Sequence, residues 1–456
     1  MSIPQSGGEP VESFSQLVTY FESGCKPKSQ WRIGTEHEKF GFDTQTLAPL
    51  AYDGDCSITT LLEGLRDRFG WDAVTEAGAL IGLKKDGANV SLEPGGQVEL
   101  SGAPLVSLHE TCDEVNEHLS QVRDVARDMG AAFIGLGAAP FWYHHDMPLM
   151  PKGRYRLMTD YMRKTGLFGL NMMYRTCTVQ VNLDYSDEMD MVKKLRVALA
   201  LQPIATALFA NSPFFEGRDT GILSVRSRFW RDLDPDRTGM LPFVFDEGFG
   251  FEAWADYALD VPMYFVYRHG RYIDALGQSF RDFLKGKLPA LPGEKPLISD
   301  WADHLTTIFP EARAKQFIEM RGVDAGPWRN LCALPAFWTG ILYSQTVLDE
   351  AWDLVRNWDS ETREGLRIAA SQTALEGQVR DVKIGECAKL ALDLAEAGLR
   401  ERAIPSAAGM IQDEVHFLDS LRDIVDSGHT LADDLLHRVR DDWDGDLRQI
   451  FVNCCY

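Results

Sequence analysis

The chain has 456 residues, 45% hydrophobic and 25% charged, which is typical of a globular protein with one or two domains. This composition excludes a disordered protein, a collagen and a small disulfide-stapled scaffold. Lys and Arg number 46 against 68 Asp and Glu, so the net charge is −22, and we expect no nucleic-acid partner.

The N-terminal segment, MSIPQSGGEPVES, contains no basic region followed by an apolar run. It therefore does not resemble a secretory signal, and we expect a cytoplasmic protein. The eight cysteines show no Cys-x-x-Cys spacing, so a zinc site is not expected.

The first two segments with strand-like alternation carry four glutamates. In WRIGTEHEKFGF, Glu36 and Glu38 are two residues apart, so both carboxylates project from the same face of a strand. In VSLEPGGQVEL, Glu93 stands just before the Pro-Gly-Gly turn, and Glu99 points away from its apolar neighbours. Each strand thus has one apolar face and one acidic face.

A helix follows these two segments. Ser107 and Glu110 form a capping box, apolar residues recur at helical spacing, and Gly130 ends the run. Cys112 belongs to the apolar stripe of this helix, which should face a core.

Two further strands continue the pattern. In MYRTCTVQVNLDY, Gln180 and Asn182 share a polar face with two threonines, and in FIEMRGVD, Glu319 and Arg321 share one face. The stretch between them from residue 197 to 215 is uncharged, but Gln202 and two prolines interrupt it. A buried core helix is therefore favoured there over a membrane span.

Polar strand faces of this kind are common on the solvated side of an antiparallel sheet. Clustered glutamates with amides and one arginine favour another interpretation, because such carboxylates repel each other unless cations lie among them. Oxygen-only ligands suit Mg²⁺ or Mn²⁺, so the pattern predicts a metal and nucleotide-phosphate site, with Arg321 neutralising a transferring phosphoryl group. The chain contains no phosphate-binding loop motif and no dinucleotide-binding motif.

The segment SVRSRFWRDLDPDRTG contains Arg226, Arg228, Arg231 and Arg237 among aspartates. It is either a surface loop of self-paired ions, or one or two of its arginines bind a substrate carboxylate.

The last quarter of the chain is almost purely helical by pattern. We expect a catalytic antiparallel-sheet domain over residues 14–340 and a helical region over 341–456 that packs on it. The predicted helices of this region lie near residues 341–357, 361–372, 380–400, 409–427 and 430–440. The vicinal Cys454 and Cys455 are expected to fray.

Several blocks of the sequence, in order from about residue 30 to 345, resemble the plant and proteobacterial type of glutamate–cysteine ligase. They include IGTEHEKFGF, SLEPGGQVELSGAP, RTCTVQVNLDY, RTGMLPFVFDEGFGFE and EMRGVDAGPWRNLCALPAFW. The resemblance implies an α+β, glutamine-synthetase-like fold, in which a curved antiparallel sheet with flanking helices carries metal ligands on its concave face.

The resemblance also implies a reaction. L-glutamate, L-cysteine and ATP would give γ-glutamylcysteine, ADP and phosphate through a γ-glutamyl phosphate, in the first step of glutathione biosynthesis. The alternatives are a ligase of the same fold that takes another amine, a nucleotide-binding regulator without catalysis, and a magnesium-dependent phosphohydrolase. We expect no membrane partner, and a monomer or homodimer.

Carried over by position, the resemblance implies roles for ten residues. The metal carboxylates would be Glu36, Glu38, Glu93, Glu99 and Glu319, with Glu319 nearest the transferring phosphate. Gln180, Asn182 and Arg321 would bind ATP, Glu319 and Arg321 would be catalytic, and Arg226 and Arg228 would hold glutamate.

Two cysteines match a redox-sensitive disulfide of plant relatives, namely Cys112 and Cys332. A second plant pair would fall where this chain has Ala275 and Ala290. Together with the lack of a transit peptide, this favours a bacterial-type cytosolic enzyme. Whether Cys112 is paired or is a buried free thiol stays open at this point.

Overall fold

A computed structural model describes residues 7–405 and 411–456 of the chain. Its α-helices within those residues are α1 (Phe14–Glu22), α2 (Ile58–Phe69), α3 (Leu108–Met129), α4 (Gly153–Met162), α5 (Gly169–Arg175), α6 (Glu188–Leu208), α7 (Val225–Trp230), α8 (Phe251–Asp260), α9 (Phe280–Leu284), α10 (Ile298–Leu305), α11 (Trp328–Tyr343), α12 (Gln345–Val355), α13 (Ser360–Thr373), α14 (Ile384–Arg402), α15 (Asp419–Ser427), α16 (Leu431–His437) and α17 (Arg448–Asn453).

The strands in the same residues are β1 (Ile33–Asp43), β2 (Asp72–Glu76), β3 (Ala79–Lys85), β4 (Ala88–Leu92), β5 (Val98–Ser101), β6 (Ala131–Ile134), β7 (Thr178–Leu183), β8 (Phe214–Phe215), β9 (Arg218–Asp219), β10 (Thr238–Gly239), β11 (Phe265–Arg268), β12 (Arg271–Asp274), β13 (Phe309–Pro310), β14 (Ala312–Ala314), β15 (Ile318–Asp324), β16 (Gln378–Val379), β17 (Val382–Lys383), β18 (Ile404–Pro405) and β19 (Ile411–Gln412).

Nine of these strands form one antiparallel sheet around β1. Its order is β14-β15-β7-β1-β5-β4-β3-β2, and β6 pairs with the second half of β1. Helices pack against this sheet, and the α+β class predicted from the sequence is confirmed.

One face of the sheet is apolar because alternate residues of its strands are aliphatic. Val179, Val181 and Leu183 of β7 and Ile318 of β15 are fully buried in the main core, which includes residues of α6 and α11. The uncharged stretch forms the second half of α6, whose residues from Val197 to Leu208 are buried as predicted. No single helix of the described residues is long and apolar enough to span a membrane. Helices α11 and α12 together have sufficient length and apolar composition, but their axes are bent by 94° at the break between them.

Helix α3 begins and ends as the sequence predicts. The Ser107 hydroxyl accepts from the Glu110 amide at 3.2 Å, and Gly130 ends the helix in the left-handed conformation that glycine favours. A disulfide bond joins Cys112 of α3 to Cys332 of α11. Its redox role stays a prediction.

Three of the predicted C-terminal helices begin later than expected. The helix expected from residue 341 begins at Gln345, because α11 ends only at Tyr343, and the helix expected from residue 380 begins at Ile384, after the β16–β17 pair. The helix expected from residue 409 begins at Asp419, after the β18–β19 pair and a short 3₁₀ helix over Val415–Leu418; residues 409 and 410 lie outside the described part. Helix α11 begins before the expected domain boundary and runs through residue 340. The division into residues 14–340 and 341–456 therefore stays a prediction.

The prediction of a frayed C-terminus is wrong. The Tyr456 amide donates to the Phe133 carbonyl at 3.0 Å, and its hydroxyl donates to the Gly326 carbonyl at 2.7 Å. The backbone of the last residue thus bonds to β6 and its side chain bonds to the segment after β15, which a pattern of two cysteines alone does not reveal.

Candidate functional site

The strand register brings the predicted polar residues onto the face opposite the apolar core. Glu36 of β1 lies beside Gln180 of β7, and Glu38 of β1 lies beside Glu99 of β5. On the other side of β7, Asn182 lies beside Glu319 of β15. Because residues paired across antiparallel strands share a face, four adjacent strands present these side chains together.

Three glutamates form an acidic group at one end of this face. Burial, together with Glu93 and Glu99, raises the pKa of Glu38 well above its usual value, and burial and Glu99 raise the pKa of Glu93 to about 7. Burial acts on Glu99 in the same direction, but hydroxyls of Ser101 and Ser91, each at 2.9 Å, help hold its pKa below the usual value. The group accumulates more negative charge than its surroundings neutralise, so a cation would be favoured there.

Helix α4 and the residue before it bring positive charge to the acidic group. Lys152 donates to the Leu92 carbonyl at 2.8 Å, and burial, opposed by Glu93, lowers its pKa to about 8. The Tyr155 hydroxyl donates to the Leu92 carbonyl and lies 3.2 Å from the Glu93 carboxylate, and buried Arg154 also lowers the pKa of Glu93. The chain therefore offsets part of the acidic charge from outside the sheet.

The other end of the face is built around Glu319, which is fully buried. Its carboxylate pairs with Arg313, lies 2.8 Å from the Lys315 ammonium, and is 3.6 Å from Arg321. Burial would raise the pKa of Glu319, but these three cations hold it well below its usual value. Nearby, the Asn182 amide donates to Glu36 at 2.9 Å.

Several polar atoms of this face have no hydrogen-bond partner within the described residues. They are Gln180 Oε1, Asn182 Oδ1, Arg154 Nε, Arg226 Nε and Arg321 Nε. Buried polar groups in proteins are nearly always paired, so this concentration of acceptors and guanidinium donors is typical of a site that binds a polar ligand.

The arginine-rich segment is not a surface loop of self-paired ions. Arg226 of α7 is 3% exposed, and its Nη2 donates to the Arg321 carbonyl at 2.9 Å. Arg228 is half-buried, with its guanidinium 4.9 Å from the Phe168 ring, whereas Arg237 is fully buried and paired with Asp234 at 2.6 Å. The structure thus brings Arg226 to the acidic face and gives Arg237 a structural ion pair.

The donor set suits magnesium better than a metal that needs a preformed cage. Among the residues described, no three His, Cys, Asp or Glu side chains come together closely enough to hold a metal ion. Mg²⁺ usually keeps several waters and takes one or two carboxylates plus substrate phosphates, so widely spaced carboxylates with unpaired amide oxygens fit it.

Reasoning from the sequence missed four cations of the site. Arg313 lies in β14, which pairs with β15 and places Arg313 opposite Glu319, and Lys315 lies in the turn between the two strands. Alternation within one segment could not find these two cations, because it does not continue through a turn between paired strands. Lys152 and Arg154 approach from α4 and the residue before it, and no local pattern connects that helix to the sheet.

The family model of glutamate-cysteine ligase family 2 matches residues 32–453. The chain is 54% identical over 440 residues to the chloroplastic glutamate–cysteine ligase of Brassica juncea, a match that covers 96% of this chain and 84% of that protein. It is 53% identical over 448 residues to the chloroplastic enzyme of Medicago truncatula, covering 98% and 86%.

A crystal structure of glutamate–cysteine ligase from Francisella tularensis in complex with AMP shares the fold. Its TM-score is 0.51 at 12% identity, and the match covers 90% of this chain and 85% of that chain. At this identity, the likeness concerns the fold alone.

The relatives overturn the expected location. Glutamate–cysteine ligases 53–54% identical to this chain, from Brassica, Medicago, rice and Arabidopsis, are chloroplastic, so the prediction of a cytoplasmic protein is wrong. The error arose because a folded enzyme carries no compartment signal in its composition, and targeting segments are separate from the fold.

Proposed function

The chain belongs to glutamate-cysteine ligase family 2, and from this premise we propose that its acidic sheet face binds MgATP and activates the γ-carboxylate of glutamate. The protein is a ligase that joins glutamate to cysteine in the first step of glutathione synthesis. The observation that supports this site is the concentration of carboxylates, unpaired amide oxygens and buried arginines on one face.

The chemistry requires two displacements. An oxygen of the glutamate γ-carboxylate attacks the terminal phosphorus of ATP, and ADP leaves. The amine of cysteine then attacks the acyl carbon of the γ-glutamyl phosphate, phosphate leaves, and the nitrogen loses a proton. The first step is needed because a free carboxylate is a poor electrophile, whereas phosphate is a good leaving group.

We assign the phosphate end of the site to β15 and β7. Arg321 lies within reach of Glu319 and has an unpaired Nε, so it can neutralise charge on the transferring phosphoryl group. Glu319 orients Arg321 and is the carboxylate we place nearest that group. Gln180 and Asn182 supply amide oxygens toward the nucleotide.

The carboxylates would hold Mg²⁺, and Mn²⁺ would fit the same oxygen ligands. Glu36, Glu38, Glu93 and Glu99 would form this set, with Glu319 at its edge. When bound, the metal offsets the repulsion between the attacking carboxylate and the phosphates. The raised pKa values of Glu38 and Glu93 support this assignment, because they show negative charge that the protein alone does not balance.

We assign glutamate binding to α7. Arg226 is buried beside Arg321 and keeps Nε unpaired, so its guanidinium can bind a substrate carboxylate with two donors. Arg228, whose guanidinium lies near the Phe168 ring, is proposed as a second contact.

We further propose that the chain has a catalytic part over residues 14–340 and a helical part over residues 341–456, and that the protein is a monomer or a homodimer.

The test is ADP release by the purified protein with ATP and Mg²⁺, adding glutamate, then cysteine, then both. We expect release to require both amino acids. Release without either would indicate a phosphohydrolase, and no release under any condition would indicate a nucleotide-binding regulator. Competition between cysteine and 2-aminobutyrate then decides whether the amine site selects the thiol.

A further inference from the structure

The two site arginines come from different parts of the chain, yet they are joined directly. Arg226 of α7 donates from Nη2 to the backbone carbonyl of Arg321 at 2.9 Å. Arg321 lies in an irregular stretch of β15, where the register with β7 shifts between Met320 and Val323. Its amide donates instead to the Glu311 carbonyl at 3.1 Å. The position of each guanidinium therefore depends on how α7 and this bulge are held relative to each other.

A third arginine, from the C-terminal helices, links α7 to Glu311, the residue whose carbonyl accepts from the Arg321 amide. Arg367 of α13 donates from Nε to the Glu311 carboxylate at 2.7 Å and from Nη2 to the carbonyl of Trp230 at 3.0 Å. Trp230 is the last residue of α7. Both side chains of the Arg367–Glu311 pair are only 8% exposed. The contacts form a closed ring that runs from α7 through Arg226, Arg321, Glu311 and Arg367 back to α7.

The bulge has little room to move within this ring. A Cβ on Gly322 would lie 2.3 Å from a Glu311 carboxylate oxygen and 2.7 Å from the Gln202 side chain. The Gly322 carbonyl also accepts from the Thr206 hydroxyl at 2.9 Å. A shift of the Glu311 carboxylate would therefore be transmitted to the backbone that carries Arg321.

We propose that Arg367 is a positioning residue that sets the distance between Arg226 and Arg321, and hence between bound glutamate and the transferring phosphoryl group. This inference rests on the proposed function of those two arginines. Arg367 acts through two donors of one rigid guanidinium, each directed to a different element. A lysine can reach only one of them at a time, so Arg367→Lys uncouples the two elements while keeping the charge.

The same helix offers a matched control. Arg363 lies one turn earlier on α13, is also buried, and donates to the Trp358 carbonyl, with its guanidinium 3.4 Å from the Phe245 ring. Neither this hydrogen bond nor this ring contact involves α7 or β15. Arg363→Lys thus makes the same chemical change at a similar depth without touching the ring.

The experiment measures kcat, KM for glutamate, KM for ATP and the thermal midpoint for both variants in the full-length protein. We expect Arg367→Lys to raise KM for glutamate and lower kcat, with kcat/KM reduced about 10- to 100-fold, while Arg363→Lys stays near the wild type. A purely structural role would lower only the folded fraction, which reduces apparent kcat and leaves KM unchanged in both variants. That result, or equal effects of the two substitutions, would overturn the inference.

A second variant tests the ring itself. Glu311→Gln should give the same rise in KM for glutamate as Arg367→Lys, and the double variant should be no worse than either, because both break one path. Additive losses would contradict the ring. If the wild type releases ADP without the amino acids, the proposed function fails. The rate of ADP release by Arg367→Lys, divided by the rate of Arg363→Lys, then still tests the positioning role.

Discussion

Glu38 is the carboxylate whose charge is most disfavoured by its surroundings in the ligand-free protein. Burial and two neighbouring glutamates raise its pKa, while the Thr178 amide donates to it at 2.9 Å. Glu38→Gln keeps the shape and that hydrogen bond but removes a proposed metal ligand. We expect kcat to fall about 100-fold or more, with the thermal midpoint unchanged or raised, because repulsion with Glu93 and Glu99 is relieved.

The control for this variant is Glu63→Gln on the exposed side of α2, which removes one charge far from the sheet face. Steady-state ligase activity and a thermal melt of both proteins decide the outcome. Near-normal activity of Glu38→Gln, matching Glu63→Gln, would contradict the metal-site assignment.

Arg321 tests the phosphate end of the site. Burial lowers its pKa to about 10, yet it remains charged at neutral pH, and Glu319 lies 3.6 Å away. Arg321→Lys keeps a positive charge but loses the planar fork, so we expect kcat to fall about 100-fold. The measurement is single-turnover formation of ADP with saturating substrates, which separates chemistry from binding. An Arg321→Lys protein that forms ADP at the wild-type rate would exclude Arg321 from phosphoryl transfer.

At the scale of elements, α10 contains a histidine that links it to α8. His304 Nε2 donates to the Ala258 carbonyl at 2.8 Å, and burial, with a smaller contribution from Arg237, lowers its pKa to about 4. The folded protein thus disfavours the protonated ring, whereas the unfolded chain binds a proton below about pH 6.5. Stability from this residue is therefore present above pH 6.5 and is lost as the pH falls toward 4.

We expect His304 to account for about 2 kcal/mol of lost stability between pH 7 and pH 5. Urea unfolding of the wild type and of His304→Gln at both pH values measures this contribution, since glutamine does not titrate. Exposed His429→Gln is the control and should keep the wild-type pH dependence. If His304→Gln loses as much stability on acidification as the wild type, the histidine does not carry this effect.

Elements were predictable from the sequence where a local rule decides them. The capping box predicted the start of α3, and the alternation of β1 and β7 predicted the shared face of Glu36, Glu38 and Gln180. The helical start at Asp419 was not predictable from periodicity, because apolar residues upstream fit a helix but form the β18–β19 pair and a 3₁₀ turn. Periodicity describes one segment, whereas strand pairing depends on a second one.

The same limit applies to the site. Alternation could bring carboxylates to one face, but it could not show that Arg313 and Lys315 neutralise Glu319, or that Arg367 reaches α7 from a distant helix. These contacts depend on the pairing of β14 with β15, or they join residues far apart in the chain. Function was predictable because the sequence blocks resemble a known family.

At the scale of the whole molecule, the net charge does not describe the charge of each part of the site. The chain carries −22, yet buried Arg226 and half-buried Arg321 lie together at the end of the face that we propose for phosphate, each with an Nε that has no hydrogen-bond partner among the described residues. An anionic ligand thus meets two guanidinium groups at this end of the face, whereas Glu38, Glu93 and Glu99 make the other end acidic. Binding then depends on these few side chains and the metal rather than on the overall charge.

The disulfide ties the molecule together behind the sheet. Cys112 and Cys332 are 220 residues apart, are each 4% exposed, and join α3 to α11. A cross-link over so long a loop restricts the unfolded chain strongly, so its loss should lower the free energy of unfolding by about 2–5 kcal/mol.

We expect Cys112→Ala, Cys332→Ala and the double variant to unfold at the same urea concentration, because each removes the same cross-link. Cys387→Ala removes a buried but unpaired thiol and should cost less. Adding reductant should bring the wild type close to the Cys112→Ala midpoint and leave that variant unchanged; a reductant effect of equal size on both would show that the cross-link does not stabilise the fold.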